Sequence, residues 1–114
     1  MKVIKFDKYY SKLKNKTFTT IRDDYKNIKL GSIVECRVAS KNGREDIIFH
    51  ARLRKIKVQS FWLIDNEILA KDLDLHYDPV EMYVCLDDAV DAMREYYPDF
   101  KGDDNVFVYC FERE

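Results

Sequence analysis

Between Ile47 and Val58 the apolar residues of the chain change phase. Up to Leu53 the run alternates, with Ile47, Phe49, Ala51 and Leu53 on one face of a strand and Ile48, His50, Arg52 and Arg54 on the other. Beyond it the apolar positions are Ile56 and Val58, which fall on the opposite parity. In a strand such a slip turns every later side chain to the wrong face unless one extra residue is absorbed as a β-bulge. Bulges bend a strand and raise its twist, so a long strand that carries one suits a curved, barrel-forming sheet.

The flanking sequence supplies partners for that strand. Val3–Phe6 reads as a short strand, and Phe6, Tyr9, Tyr10 and Leu13 recur at helical spacing, predicting a short helix closed by a left-handed Asn15. Thr17–Ile21 is β-branched and aromatic, hence extended, and the polar stretch 23–31 ends in a turn at Gly31. Ile33–Val38 leads through the hairpin signal Lys41-Asn42-Gly43 into the long strand. A helical turn is expected around Asp65–Ala70, then an acidic surface connection over 71–82, then a helix over 86–97 stopped by Pro98. Val106–Phe111 is apolar on nearly every position, as in a strand covered on both faces. No repeat or linker divides the chain. The reading is one mixed α+β domain over residues 1–114, a small barrel of five or six strands with two or three outer helices.

Charge is segregated along the sequence. Residues 1–57 carry 16 basic and 6 acidic side chains, and residues 58–114 carry 4 basic and 15 acidic. Either the surface is dipolar with a focused positive region, or the halves neutralise each other across the fold. A net charge of −1 argues against a general polyanion binder, so any nucleic acid should bind locally. No apolar stretch approaches the roughly 18 residues of a membrane span, and no secretory pattern opens the sequence, so a cytoplasmic monomer without a membrane partner is expected. Cys36, Cys85 and Cys110 form no CxxC, and His50 and His76 have no zinc-binding spacing. Buried thiols are expected, with no metal site. The chain also lacks a glycine-rich phosphate loop or dinucleotide fingerprint, so no cofactor is expected.

The chemically richest segment is Lys16-Thr17-Phe18-Thr19-Thr20-Ile21-Arg22, followed by Lys29-Leu30-Gly31-Ser32 and, near the end, by Tyr97-Pro98 and Val108-Tyr109-Cys110-Phe111. In order and spacing these resemble the ASCH domain family of the PUA-like superfamily over most of positions 2–112. The resemblance implies a PUA-like barrel with a cleft beside the Lys-Thr-Arg strand and a role in binding RNA or a modified nucleoside. Some members act as amidohydrolases on an acylated modified cytidine with a Lys, a Thr and a Glu, and others are similar to small metal-independent ribonucleases.

Lys16 and Arg22 are therefore the first candidates, a mobile charge and a planar donor fork. Counting by twos from Arg22 selects Thr20 for the shared face, whereas the family's Lys-x-x-Thr spacing selects Thr19, and both stay open. Glu81, by its distance before Tyr97-Pro98, is the expected acid, with Glu67 the alternate. For the enzymatic reading the catalytic set is thus Lys16, Thr19 or Thr20, and Glu81. For the binding reading Arg52 and Arg54 would add phosphate contacts, and Tyr25 or Trp62 a surface on which a base stacks.

Overall fold

The computed structural model describes residues 1–39, 45–77, 80, 84–102 and 105–114. Five strands form one sheet: β1 Val3–Phe6, β2 Thr17–Arg22, β3 Ile33–Ala39, β4 Glu45–Ser60 and β5 Asn105–Arg113. Their order is β1-β3-β4-β5-β2, with β1 parallel to β3 and every other pair antiparallel. Two α-helices follow β4 in sequence, α1 Asn66–Leu73 and α2 Leu86–Arg94.

The phase slip is a bulge. The β4–β5 register shifts between Leu53 and Lys55, so Leu53 lies opposite Phe111 while Lys55 lies opposite Cys110. Leu53 and Ile56 thereby pack into the same core although their parities differ. The sheet curls into half a barrel rather than a closed one, and its two edges are β1 and β2. Phe18 of β2 joins them, meeting Phe6 of β1 at 6.2 Å between ring centroids and Phe111 of β5 at 5.6 Å.

Each face of the sheet holds a core. The concave face gathers Phe6, Phe18, Val34, Phe49, Leu53, Tyr109 and Phe111. The other face packs Ile21, Val106 and Val108 under Leu69 and Leu73 of α1, Ala89 and Met93 of α2, and Phe61 and Phe100. β5 feeds both, which is why its sequence barely alternates.

Four local expectations differ from the structure. The surface connection expected over 71–82 instead begins as the last turn of α1, because Leu69 and Leu73 stand one turn apart on its apolar face and carry Asp72 inward with them. The helix expected from Phe6, Tyr9, Tyr10 and Leu13 is only a 3-10 turn, Ser11–Lys14. Phe6 is spent in β1, Tyr10 is extended with no capping side-chain bond, and what remains is too short to repay helix nucleation. Asn15 is extended at φ −79° rather than left-handed. The last helix ends at Arg94, three residues early, because the residue before a proline avoids helical geometry; Tyr96 and Tyr97 instead close a turn onto the Met93 carbonyl. The Lys41-Asn42-Gly43 turn lies outside the described residues.

Candidate functional site

Two neighbouring threonines of β2 point to opposite faces and serve two different places. Thr19, half-buried, faces α1 and donates to Asp72 Oδ1 at 2.8 Å. Thr20, buried, faces the seam between β1 and β2 and accepts from Arg22 Nε at 3.0 Å. Both ways of counting along the strand pick out a real neighbourhood, but they are not the same one.

Asp72 is the centre of the first. It lies on the apolar face of α1, three residues after Leu69 and directly before Leu73, and is 3% exposed. Its Oδ1 also accepts from Lys12 Nζ at 2.9 Å, and its Oδ2 from the Ile21 backbone N–H at 2.9 Å. Lys12, at 5% exposure, comes from the 3-10 turn and stands over the rings of Phe6 and Tyr10. Burial, aided by the Arg22 charge, pushes the Lys12 ammonium below its ordinary range, while Asp72 works in the opposite sense. A lysine, a threonine and a carboxylate thus meet, but they are Lys12, Thr19 and Asp72.

Lys16 stands apart, exposed at the start of β2, where its carbonyl accepts from the Arg113 N–H. Glu81 lies outside the described residues. Glu67 is on the surface of α1 and pairs with Lys71 at 3.0 Å. The sequence carried a partial signal for the buried pair: Asp72 keeps helical spacing with Leu69, and Lys12 adjoins Leu13 in a tyrosine-rich stripe.

Beside Asp72 a groove runs over the face of β2, β5 and β4 that α1 leaves uncovered. It has two adjoining lobes of about 440 and 210 Å³, with Thr19, Ile68 and Cys110 in the walls of both. The larger lobe adds Thr17, Arg54 and Lys71, and the smaller Lys55, Lys57 and the exposed Leu63. The bulge is what turns Lys55 and Lys57 to this face, opposite Cys110 and Val108. Arg54 pairs with Glu112 at 2.9 Å, whereas neither Lys55 nor Lys57 has a carboxylate partner among the described residues. Cys110 is half-buried and burial pushes its thiol up, so it is not a poised thiolate. Of the other cysteines, Cys36 is buried and Cys85 half-buried.

Arg22 belongs to the seam. Its Nη2 donates to the Lys5 carbonyl at 3.0 Å and its guanidinium lies over Phe6 at 5.3 Å, so it ties one edge strand to the other. Arg52 and Arg54 are at the far end of β2: Arg22 is level with Phe107, whereas Thr17 and Arg52 are both level with Glu112. Five residues of strand separate the two rows, about 17 Å. Arg52 itself pairs with Glu114 and donates to the Gly31 carbonyl. Among the described residues four ion pairs join the basic half to the acidic half, namely Lys8–Asp74, Lys12–Asp72, Arg52–Glu114 and Arg54–Glu112, so part of the charge split is neutralised internally. Tyr25 is exposed and tilts against Phe107 at 5.5 Å, near Arg22 rather than the groove. Trp62 is 45% exposed and covers Gly102, where an added Cβ would stand 3.1 Å from its ring.

Three tyrosine hydroxyls line the seam. Tyr10 donates to Asp7 at 2.9 Å and is 2.5 Å from the Tyr96 hydroxyl, and Tyr97 donates to Asp24 at 2.7 Å. Burial is the largest cause raising all three, joined by Tyr96 and Asp7 for Tyr10, by Asp7 against the opposing Tyr10 bond for Tyr96, and by Asp24 for Tyr97; Tyr96 goes from 10.0 to about 12. An unfolded chain ionises its tyrosines near pH 10, before the folded one can. Their contribution to stability is therefore complete below about pH 10 and is lost as pH climbs toward the folded values. Lys12 acts in the opposite sense, one group against three. Urea denaturation on either side of about pH 10 should show a steep alkaline loss, with the tyrosinate absorbance of these three side chains rising only as the chain unfolds.

No family model, curated protein or solved structure matches the chain. The resemblance to the ASCH family rests on the residues quoted for it.

Proposed function

We propose that the protein binds single-stranded RNA or a modified nucleotide in the groove beside β2. The observation that carries this reading is Lys55 and Lys57, two cations without carboxylate partners among the described residues, in the wall of the smaller, about 210 Å³ lobe of a groove whose other lobe is about 440 Å³. Small-ligand pockets run about 300–1,000 Å³, so a nucleotide has room. Lys55, Lys57 and Arg54 supply phosphate contacts, which position a nucleic acid without reading it. The Thr17 hydroxyl offers a hydrogen bond to a base edge or ribose, and Ile68 and Leu63 an apolar surface. The Arg54–Glu112 and Lys71–Glu67 pairs are exposed and worth little, so a phosphate can displace them. The ASCH resemblance points to the same ligand class.

Charge reversal of Lys55 and Lys57 to Glu should weaken binding of a short single-stranded RNA by at least about tenfold and flatten its salt dependence by about 1.4 in log–log slope, two phosphate contacts' worth. Fluorescence anisotropy over a salt series checks this. Equal affinity for wild type and variant, with equal slopes, would remove the groove from consideration.

A second reading has its own support in the Lys12–Thr19–Asp72 cluster, because Thr19 opens on both lobes of the groove. Here the chain is an amidohydrolase on an acylated cytidine. The Thr19 oxygen attacks the acyl carbon and passes its proton to Asp72, the amine leaves with a proton, and water then cleaves the acyl ester. Lys12 holds Asp72 and offers positive charge to the oxyanion. Release of acetate from N-acetylcytidine by wild type, abolished in Thr19→Val, supports it; no release by wild type ends it.

A further inference from the structure

Strand β4 is longer than either of its partners covers. It runs for 16 residues, and β3 lines it from Glu45 to Arg52, with Gly31 and Ser32 adding two backbone bonds to Leu53. β5 lines the other side from Ala51 to Ser60. From Lys55 to Ser60 the strand therefore has β5 on one side and, among the described residues, no backbone partner on the other. In an antiparallel ladder every second residue turns its N–H and C=O away from the partner strand, so about three residues of this stretch hold unpaired donors and acceptors at the edge.

Two different surfaces flank that edge. Ile56 and Val58 stand opposite Tyr109 and Phe107 on the concave face, where the Tyr25 ring lies 5.5 Å from that of Phe107. Val58 is 58% exposed and Tyr25 57%, while Ile56 and Phe107 are half-buried, so an apolar shelf stands open at this end of the half-barrel. Lys55 and Lys57 project from the other face, in the wall of the smaller lobe of the groove, without carboxylate partners among the described residues. Edge cations guard against a second copy, because an antiparallel mate would bring its own lysines up to these. Guarding an edge calls for no apolar shelf above it. A strand that is acidic on one face and apolar on the other satisfies both surfaces at once.

From this arrangement we infer that the Lys55–Ser60 edge is a docking site for an extended acidic peptide, which adds to the sheet beside β4. Main-chain bonds along the edge give affinity, and alternate side chains give specificity. Apolar residues of the peptide lie over Ile56, Val58 and Tyr25, and the carboxylates between them reach Lys55 and Lys57. The inference does not rest on the groove reading, although a bound peptide and an RNA would compete for the same two lysines.

The test uses a blocked seven-residue peptide of alternating valine and glutamate, against one of the same composition with its glutamates grouped at one end. NMR of the wild-type protein should show saturable binding of the alternating peptide, slowed hydrogen exchange at edge amides between Ile56 and Ser60, and clearly weaker binding of the grouped peptide. Lys55→Glu/Lys57→Glu should lower the affinity at least about tenfold. Val58→Asn should lower it about threefold. Val58 does not line the groove, so Val58→Asn leaves RNA affinity as it was. Absent RNA binding with peptide binding intact would count against the groove reading alone. No saturable binding, equal affinity for the two peptides, slowed exchange in β1 rather than β4, or unchanged affinity in the folded variants overturns the inference. So does a wild-type dimer that protects the same edge amides, since the occupant is then a second copy. The substituted side chains are all exposed, and each variant is checked by its amide spectrum. If one does not fold, the two peptides on the wild-type protein decide.

Discussion

Asp72→Ala should cost about 3–5 kcal/mol, the usual penalty for removing one partner of a buried ion pair. The loss is more than one contact. Asp72 receives Lys12 Nζ, Thr19 Oγ1 and the Ile21 N–H, so its removal strands a buried ammonium, a hydroxyl and a backbone donor together. It also detaches α1 from the 3-10 turn and from β2. Against a typical domain stability of about 5–15 kcal/mol this is a large fraction, and chemical denaturation reads it directly. The double variant Lys12→Met/Asp72→Asn is expected to be clearly more stable than Asp72→Ala. It removes the uncompensated charge and keeps an amide oxygen for the Ile21 N–H. An Asp72→Ala protein within about 1 kcal/mol of wild type would show that the ammonium reaches solvent after all.

Phe18→Ala should be comparably severe, about 3–5 kcal/mol, the range for deleting a large buried aromatic. Phe18 is 5% exposed and touches Phe6, Phe49 and Phe111, so the cavity would open at the junction of both sheet edges. Its distinctive mark is where the damage goes. Among the described strands β1 pairs with β3 alone, and the Phe6–Phe18 contact and the Arg22 bond to the Lys5 carbonyl are its ties to β2. Hydrogen exchange should therefore accelerate in β1 and at the Glu35 amide bonded to Lys2, ahead of the β4–β5 pair. Uniform acceleration across all five strands would argue against a local seam.

The bulge was legible in the sequence because apolar parity is written along a single strand, and the slip at Leu53–Ile56 can be counted there. Helix α2 was legible from periodicity, whereas α1 showed only as a turn around Asp65–Ala70 and its last turn, with Asp72, read as an acidic surface connection. What stayed hidden was pairing over distance. No local pattern says that β1 runs parallel to β3, or that Lys12 turns inward to meet a carboxylate sixty residues later. The sequence drew attention to Lys16 because it adjoins the threonines, but adjacency in a chain is not convergence in space. The same holds for Arg22, Arg52 and Arg54, which share a sign and are separated by the length of β2.

The sheet order also sets a timetable for folding. Among the described strands β2 pairs with β5 alone, with Thr17 opposite Glu112, so a growing chain must release nearly this whole sequence before Thr17–Arg22 can pair. Until then β2 is a β-branched, aromatic edge open to any other strand. Such long-range closure makes folding slow and exposes the nascent chain to self-association, a hazard lessened in the finished molecule, where β5 covers one side of β2 and Phe18 is buried.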